Sequence, residues 1–184
     1  MYRVPSYYRE LYTKEEIATQ TATLGSRINT WVSEVKKQNN APVVALCMLR
    51  GAVFFFADLI REIPQDIQAE FCRLQSYDQT SNKPLSDTEI PPIEISSDIR
   101  GRNVLLIDDI CDKGRVLNIM VTHLNNLGAR TIKTAVMVYR DTPSSEFTPD
   151  YHCFKLQSEE WLVGMGFDDK DTYRNLPSIY AIQK

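Results

Sequence analysis

The sequence predicts an α/β fold, a parallel sheet flanked by helices. Two stretches carry the prediction. Val104 to Ile107 is a short apolar run that passes into an acidic turn and then into a helical period, Val116, Leu117, Ile119, Met120, Leu124 and Leu127, with Gly128 just past its end. Pro42 to Leu49 is a second wholly apolar run, followed by Arg50-Gly51 and another helical stretch, Val53 to Ile60. Runs without alternation suit strands covered on both faces, the usual state of a parallel sheet. A chain of 184 residues with 43% hydrophobic and 24% charged residues suits one domain, 1–184, with a substantial core.

Composition excludes some roles. The net charge of −3 and a pI near 5.5 give no electrostatic reason for nucleic-acid binding. No apolar run approaches membrane-spanning length, and Met1 to Pro5 opens no signal-like apolar core. Cys47, Cys72, Cys111 and Cys153 are widely spaced, without a CxxC, as expected of reduced, mostly buried thiols in a cytoplasmic protein.

In chain order, Thr13 to Glu16 reads as a capping box. Ile17, Thr21, Leu24, Ile28, Trp31, Val32 and Val35 then follow a helical period to about Lys37, with Trp31 in the core. Asp58 and Arg61 fall on the wet side of the second helix. Ile67, Ala69, Phe71 and Arg73 alternate, as in a strand with one face inward. Ser76 to Asp87 is long and polar, the length of a functional loop or a disordered hairpin tip. Ile93 and Ile95 suggest a strand, Thr131 to Tyr139 a longer one ending at Arg140, and Ile179 to Ile182 a closing one.

The stretch around Asp108 carries the chemistry. Open α/β sheets bind ligands at the carboxyl ends of their strands. Gly114 allows a tight turn, and the free N–H groups of the following first helical turn make an anion site. Asp108, Asp109 and Asp112 add carboxylates that can accept bonds from sugar hydroxyls or hold a metal. On spacing alone this is equally an ordinary βα turn with solvated acids. A hydrophobic strand, Asp-Asp, two residues, Asp-x-Gly and a helix resembles the phosphoribosyl-pyrophosphate signature of type I phosphoribosyltransferases. Leu49-Arg50-Gly51 resembles the pyrophosphate loop of the purine enzymes, in which the bond before the basic residue is often cis. Gln75-Ser76-Tyr77 resembles the start of their mobile lid.

From about Ala41 to Leu176 the order of motifs is similar to the hypoxanthine-guanine phosphoribosyltransferase family. The resemblance implies a type I phosphoribosyltransferase-like sheet with a small C-terminal hood, from about 150–184. It also implies Mg2+-dependent transfer of a phosphoribosyl group from phosphoribosyl pyrophosphate to hypoxanthine or guanine. Asp108 and Asp109 would hold the ribose hydroxyls, and Asp112 would be the general base. Residues Asp112, Lys113, Gly114, Arg115 and Val116 would cradle the 5′-phosphate. Leu49, Arg50, Gly51 and Arg174 would take pyrophosphate, and Ser76 and Tyr77 would lie in the lid. Arg140, Trp161, Leu162 and Asp168 would bind the purine, with Asp168, Asp108 and Asp109 linked to the metal. A homodimer or homotetramer is implied, and neither membrane nor nucleic acid is expected.

Three departures are visible. Lys113 and Val116 stand where the family usually has hydroxyl residues, Arg140 where it has Lys, and Trp161 where it has Phe or Tyr. They leave room for another base preference, such as xanthine or uracil. They also leave room for a regulator of the same fold that binds nucleotide effectors and RNA.

Overall fold

In the computed structural model the described residues are 3–38, 41–74, 93–95 and 97–182. The main sheet has the order β4-β3-β2-β5-β6-β7, built from β2 (Val43–Leu49), β3 (Ile67–Leu74), β4 (Ile93–Ile95), β5 (Asn103–Cys111), β6 (Thr131–Arg140) and β7 (Tyr151–Leu156). Only β4 runs antiparallel to its neighbour. From β2 the chain crosses by α2 (Val53–Arg61) to β3 on one side; from β5 it crosses by α3 (Arg115–Asn126) to β6 on the other. The order therefore reverses between β2 and β5, and at such a point the two loops leaving the strands part to open a crevice.

The two-sided burial expected of the apolar runs is present. Val43, Ala45 and Cys47 of β2 and Leu105 and Ile107 of β5 pack with α1 (Lys14–Gln38) and α2. Val44, Leu46 and Met48, with Val104 and Leu106, pack with Leu117, Met120 and Leu124 of α3 on the opposite face. The capping box closes as the sequence predicts. Thr13 N donates to Glu16 Oε2 at 2.8 Å, and Glu16 N to Thr13 Oγ1 at 3.2 Å. Trp31 packs, partly buried, against the first core. Helix α1 comes close to the end of α2 at Gly25, where a Cβ would lie 2.4 Å from that of Glu62. Among the described residues no helix is long and apolar enough to cross a membrane.

Three sequence expectations change. The hood is a small antiparallel sheet, β1-β9-β8, from β1 (Tyr8–Tyr12), β8 (Leu162–Val163) and β9 (Ile179–Ile182). It thus takes a strand from the N-terminal end, while β7, expected in the hood, extends the main sheet beside β6. Among the described side chains of β3, Cys72 is the buried one, Ile67 packs partly buried against the first core, and Phe71 is 43% exposed, its ring 5.4 Å from that of Phe56. Strand β3 lies one strand from the sheet edge, beside β4. Finally, β5 does not stop at Ile107. Pairing with β2 ends there, but pairing with β6 continues to Cys111↔Tyr139. Asp108 and Asp109 are therefore strand residues, placed where β5 outruns one neighbour.

Candidate active site

Successive residues of a strand face opposite ways, and the two acids accordingly differ. Asp108 lines a cleft of about 380 Å³ over the start of α3, with Lys113, Gly114, Arg115 and Val116. Asp109 lines that cleft and also a larger one of about 520 Å³, which continues to Arg140, Trp161, Leu162, Phe167, Asp168 and Arg174. Ile110, Asp112 and Lys113 are likewise shared by both. The site is thus two joined hollows with Asp109 and Asp112 on their common wall. Both members of the Asp108–Asp109 pair have their carboxyls pushed up from the ordinary range, first by burial. For Asp108 the neighbouring Asp109 charge adds to this, while hydrogen bonds and Arg174 oppose it at Asp109. Asp109 N also donates to Asp108 Oδ1 at 2.9 Å.

Gly114 caps α3 with φ 84°, and a Cβ there would lie 2.3 Å from the Cβ of Phe147. A left-handed conformation and a close neighbour both demand glycine at this bend. The first residues of α3, Arg115 to Leu117, line the smaller cleft. Val116, at that end of the helix, is exposed. Cys111 beside the loop is buried, with its thiol pushed up to about 12, first by burial. It donates to Phe147 O at 3.5 Å, which suits a packing role rather than a nucleophile.

Across the crevice, the Leu49–Arg50 peptide bond is cis. Gly51 is pinned from two sides. A Cβ on it would sit 1.8 Å from Asp109 Oδ2, and a Cβ on Gly166 of the hood would sit 2.2 Å from Gly51 O. Arg174 donates from Nη1 to Gly166 O at 2.7 Å and pairs from Nη2 with Asp168 Oδ1 at 2.6 Å. Arg50 and Arg174 both reach Asp171, at 2.8 and 3.4 Å. The hood is not a separate flap: Leu162, Met165, Phe167 and Ile179 share the core of α1 and α2.

The structure brings the sequence-predicted site residues of β2, β5, β6 and the hood to one crevice, with refinements. Arg140 is only 7% exposed. Its Nε lies 3.1 Å from Asp112 Oδ1, Nη2 donates to Glu160 O at 2.6 Å, and Nη1 to Ser158 O. Three of its five N–H groups are thus engaged within the protein. Asp168 has one oxygen on Arg174 and the other on the Asp171 N–H at 2.8 Å. Trp161 is 59% exposed, and its indole donates to Asp168 O at 2.6 Å, which fixes the ring at the mouth of the larger hollow. The carbonyl of Trp161 accepts from Ile182 N at 3.0 Å. Ser76 and Tyr77 lie outside the described residues. Sequence reasoning missed Asp171 and Glu159. Glu159 lines the larger hollow, but neither residue stands in a motif.

Among the described residues no three His, Cys, Asp or Glu side chains converge to hold a metal ion. The donor set still fits a magnesium ion that arrives with its ligand. Such ions take one or two carboxylates and complete their shell with phosphate oxygens and water.

Comparison with known proteins agrees with this geometry. The phosphoribosyl transferase domain family matches residues 16–170. A hypoxanthine-guanine phosphoribosyltransferase of Bacillus subtilis is 31% identical over 94% of this chain and 92% of its own length. One from Streptococcus thermophilus is 30% identical over 95% and 92%. The crystal structure of such an enzyme from Bacillus anthracis superposes with a TM-score of 0.76 at 27% identity, covering 94% of this chain and 96% of that one. The chain belongs to the phosphoribosyl transferase domain family.

Proposed function

We propose that this chain transfers the 5-phosphoribosyl group of phosphoribosyl pyrophosphate to hypoxanthine or guanine, giving the nucleotide and pyrophosphate. One observation carries the reading: a hollow at a helix N-terminus adjoins a hollow bordered by an exposed tryptophan, and Asp109 and Asp112 line both. Relatives of about 30% identity bear the corresponding name.

In this reading the N–H groups from Lys113 to Val116 hold the 5′-phosphate, with Lys113 and Arg115 adding charge that hydroxyl side chains would not. Asp108 and Asp109 accept from the ribose hydroxyls. Arg50, the backbone at Leu49 and Gly51, and Arg174 receive the pyrophosphate, a role that suits the fork of a guanidinium. The purine lies against Trp161, its edge read by the Leu162 backbone and its 6-oxo group by the N–H groups left free on Arg140. A donor there suits a 6-oxo better than a 6-amino base. A ring nitrogen of the base forms the new bond to C1′ as the bond from C1′ to the pyrophosphate oxygen breaks. Asp112, whose side chain is 63% exposed at the junction, takes the imidazole proton. Its negative charge also stabilises the ribosyl cation that develops.

Magnesium, held through Asp108, Asp109 or Asp168 and the phosphates, would neutralise charge on the leaving group. A homodimer or homotetramer in the cytoplasm completes the reading.

The test is nucleotide formation from phosphoribosyl pyrophosphate and magnesium with hypoxanthine, guanine, xanthine, adenine and uracil in turn. Turnover with hypoxanthine or guanine, with one pyrophosphate released per nucleotide, is expected. Binding of phosphoribosyl pyrophosphate without turnover on any base would overturn the reading in favour of an effector-binding regulator.

A further inference from the structure

Both arginines that the proposed function gives to pyrophosphate are already on one carboxylate oxygen. Asp171 Oδ1 lies 2.8 Å from Arg50 Nη2 and 3.4 Å from Arg174 Nη2. These two cations, Arg50 first, hold the Asp171 carboxyl below its ordinary range. The carboxylate is presented by a built turn. Asp169 N donates to Thr172 O at 3.1 Å and Thr172 N to Asp169 O at 3.0 Å. Between them, Lys170 and Asp171 have φ of 50° and 65°, the pattern of a type I′ hairpin turn. The Tyr8 hydroxyl donates to Asp169 Oδ2 at 2.8 Å, and Asp171 N to Asp168 Oδ2 at 2.8 Å, so the turn is tied to β1 and to the hood.

We propose that Asp171 is an internal competitor for the diphosphate. Its carboxylate occupies the place between Arg50 and Arg174 that a diphosphate oxygen takes, and so it weakens the hold on substrate and eases release of pyrophosphate. This rests on the reading of those arginines given above. Arg50, with a side chain 61% exposed, is the partner that leaves. Arg174, 23% exposed and tied to Gly166 and Asp168, stays. Without Asp171 the same arginines would meet an incoming diphosphate with nothing to give up and one less negative charge beside it.

Calorimetric binding of inorganic pyrophosphate with magnesium tests this on the wild type, Asp171→Asn and Asp171→Gly. Both substitutions suit a positive φ. Asp66→Asn is the control, because Asp66 pairs with Lys36 where β3 begins, at the opposite end of the sheet. Both Asp171 variants should bind roughly three- to tenfold more tightly, the scale of one or two exposed ion pairs. The gain should shrink as salt rises, and Asp66→Asn should match the wild type. Wild-type binding with equal or weaker binding by both Asp171 variants overturns the proposal and leaves the pyrophosphate site standing. No binding by the wild type overturns the pyrophosphate site itself, and the proposal with it.

Discussion

Gly51→Ala is the substitution whose effect the structure specifies most closely. The new methyl would sit 1.8 Å from Asp109 Oδ2 and 2.8 Å from its Cγ, against a practical lower limit of 3.0 Å for such contacts. One side must retreat by at least 1.2 Å, the difference between that limit and the 1.8 Å contact. The backbone at Gly51 cannot easily retreat, because Gly166 of the hood is packed on its carbonyl. The Asp109 carboxylate therefore moves. A misplacement of about 1 Å in a catalytic constellation costs on the order of 100-fold in rate, so kcat/KM should fall by about that factor. Overpacking of this kind costs about 1–3 kcal/mol, which for a domain this size lowers Tm by roughly 2–12 °C. Steady-state kinetics and thermal unfolding measure both. The double variant Gly51→Ala/Asp109→Ala isolates the cause, because with the carboxylate gone the methyl has room. It should be no worse than Asp109→Ala alone. Wild-type kcat/KM in Gly51→Ala, or a double variant that loses the full product of the two single losses, would refute the reasoning.

Two further outcomes follow from the same site. Asp108→Asn should raise Tm at pH 7 in metal-free buffer while abolishing efficient turnover. A carboxyl whose folded pKa is raised destabilises the fold when ionised, fully so above that pKa and not at all below its unfolded value of about 3.9. The gain should accordingly vanish below about pH 4, and a variant less stable than wild type at pH 7 would contradict the assignment. Arg140→Met strands the carbonyls of Ser158 and Glu160 and frees Asp112, so stability should drop by about 1–3 kcal/mol in denaturant titrations. The KM for the base should rise more than that for phosphoribosyl pyrophosphate, and a selective rise on the pyrophosphate side would place Arg140 in the wrong hollow.

The legible part of this molecule was its repeated strand, turn and helix. The apolar runs of β2 and β5 carry no alternation because both of their faces are covered, and that pattern needs no partner to be read. The acid-rich stretch after Ile107 announced a site because the residue types suit a sugar phosphate. What the sequence hid is set by distant partners. Tyr8 to Tyr12 joins the hood only because β9 lies beside it, more than a hundred and sixty residues away in register. Asp108 and Asp109 are strand residues, with Asp108 on the smaller hollow and Asp109 on both, because β6 carries β5 past the end of β2, an extension set by the neighbouring strand. Arg140 reads as a free donor at a strand end, yet its guanidinium is held by Asp112 and two backbone carbonyls from a loop that folds back over it. Lys170-Asp171 lacks the glycine or asparagine that usually marks a type I′ turn, so its positive φ values were invisible until the turn was seen.

The central claim is that Asp112, on the wall common to both hollows, takes the proton as the base attacks C1′. Single-turnover kinetics of Asp112→Asn against wild type, with hypoxanthine and saturating phosphoribosyl pyrophosphate and magnesium, test it most directly. The account predicts a chemical step slowed by about 10²- to 10⁴-fold, with substrate affinity within a few-fold of wild type. An unchanged single-turnover rate would contradict it.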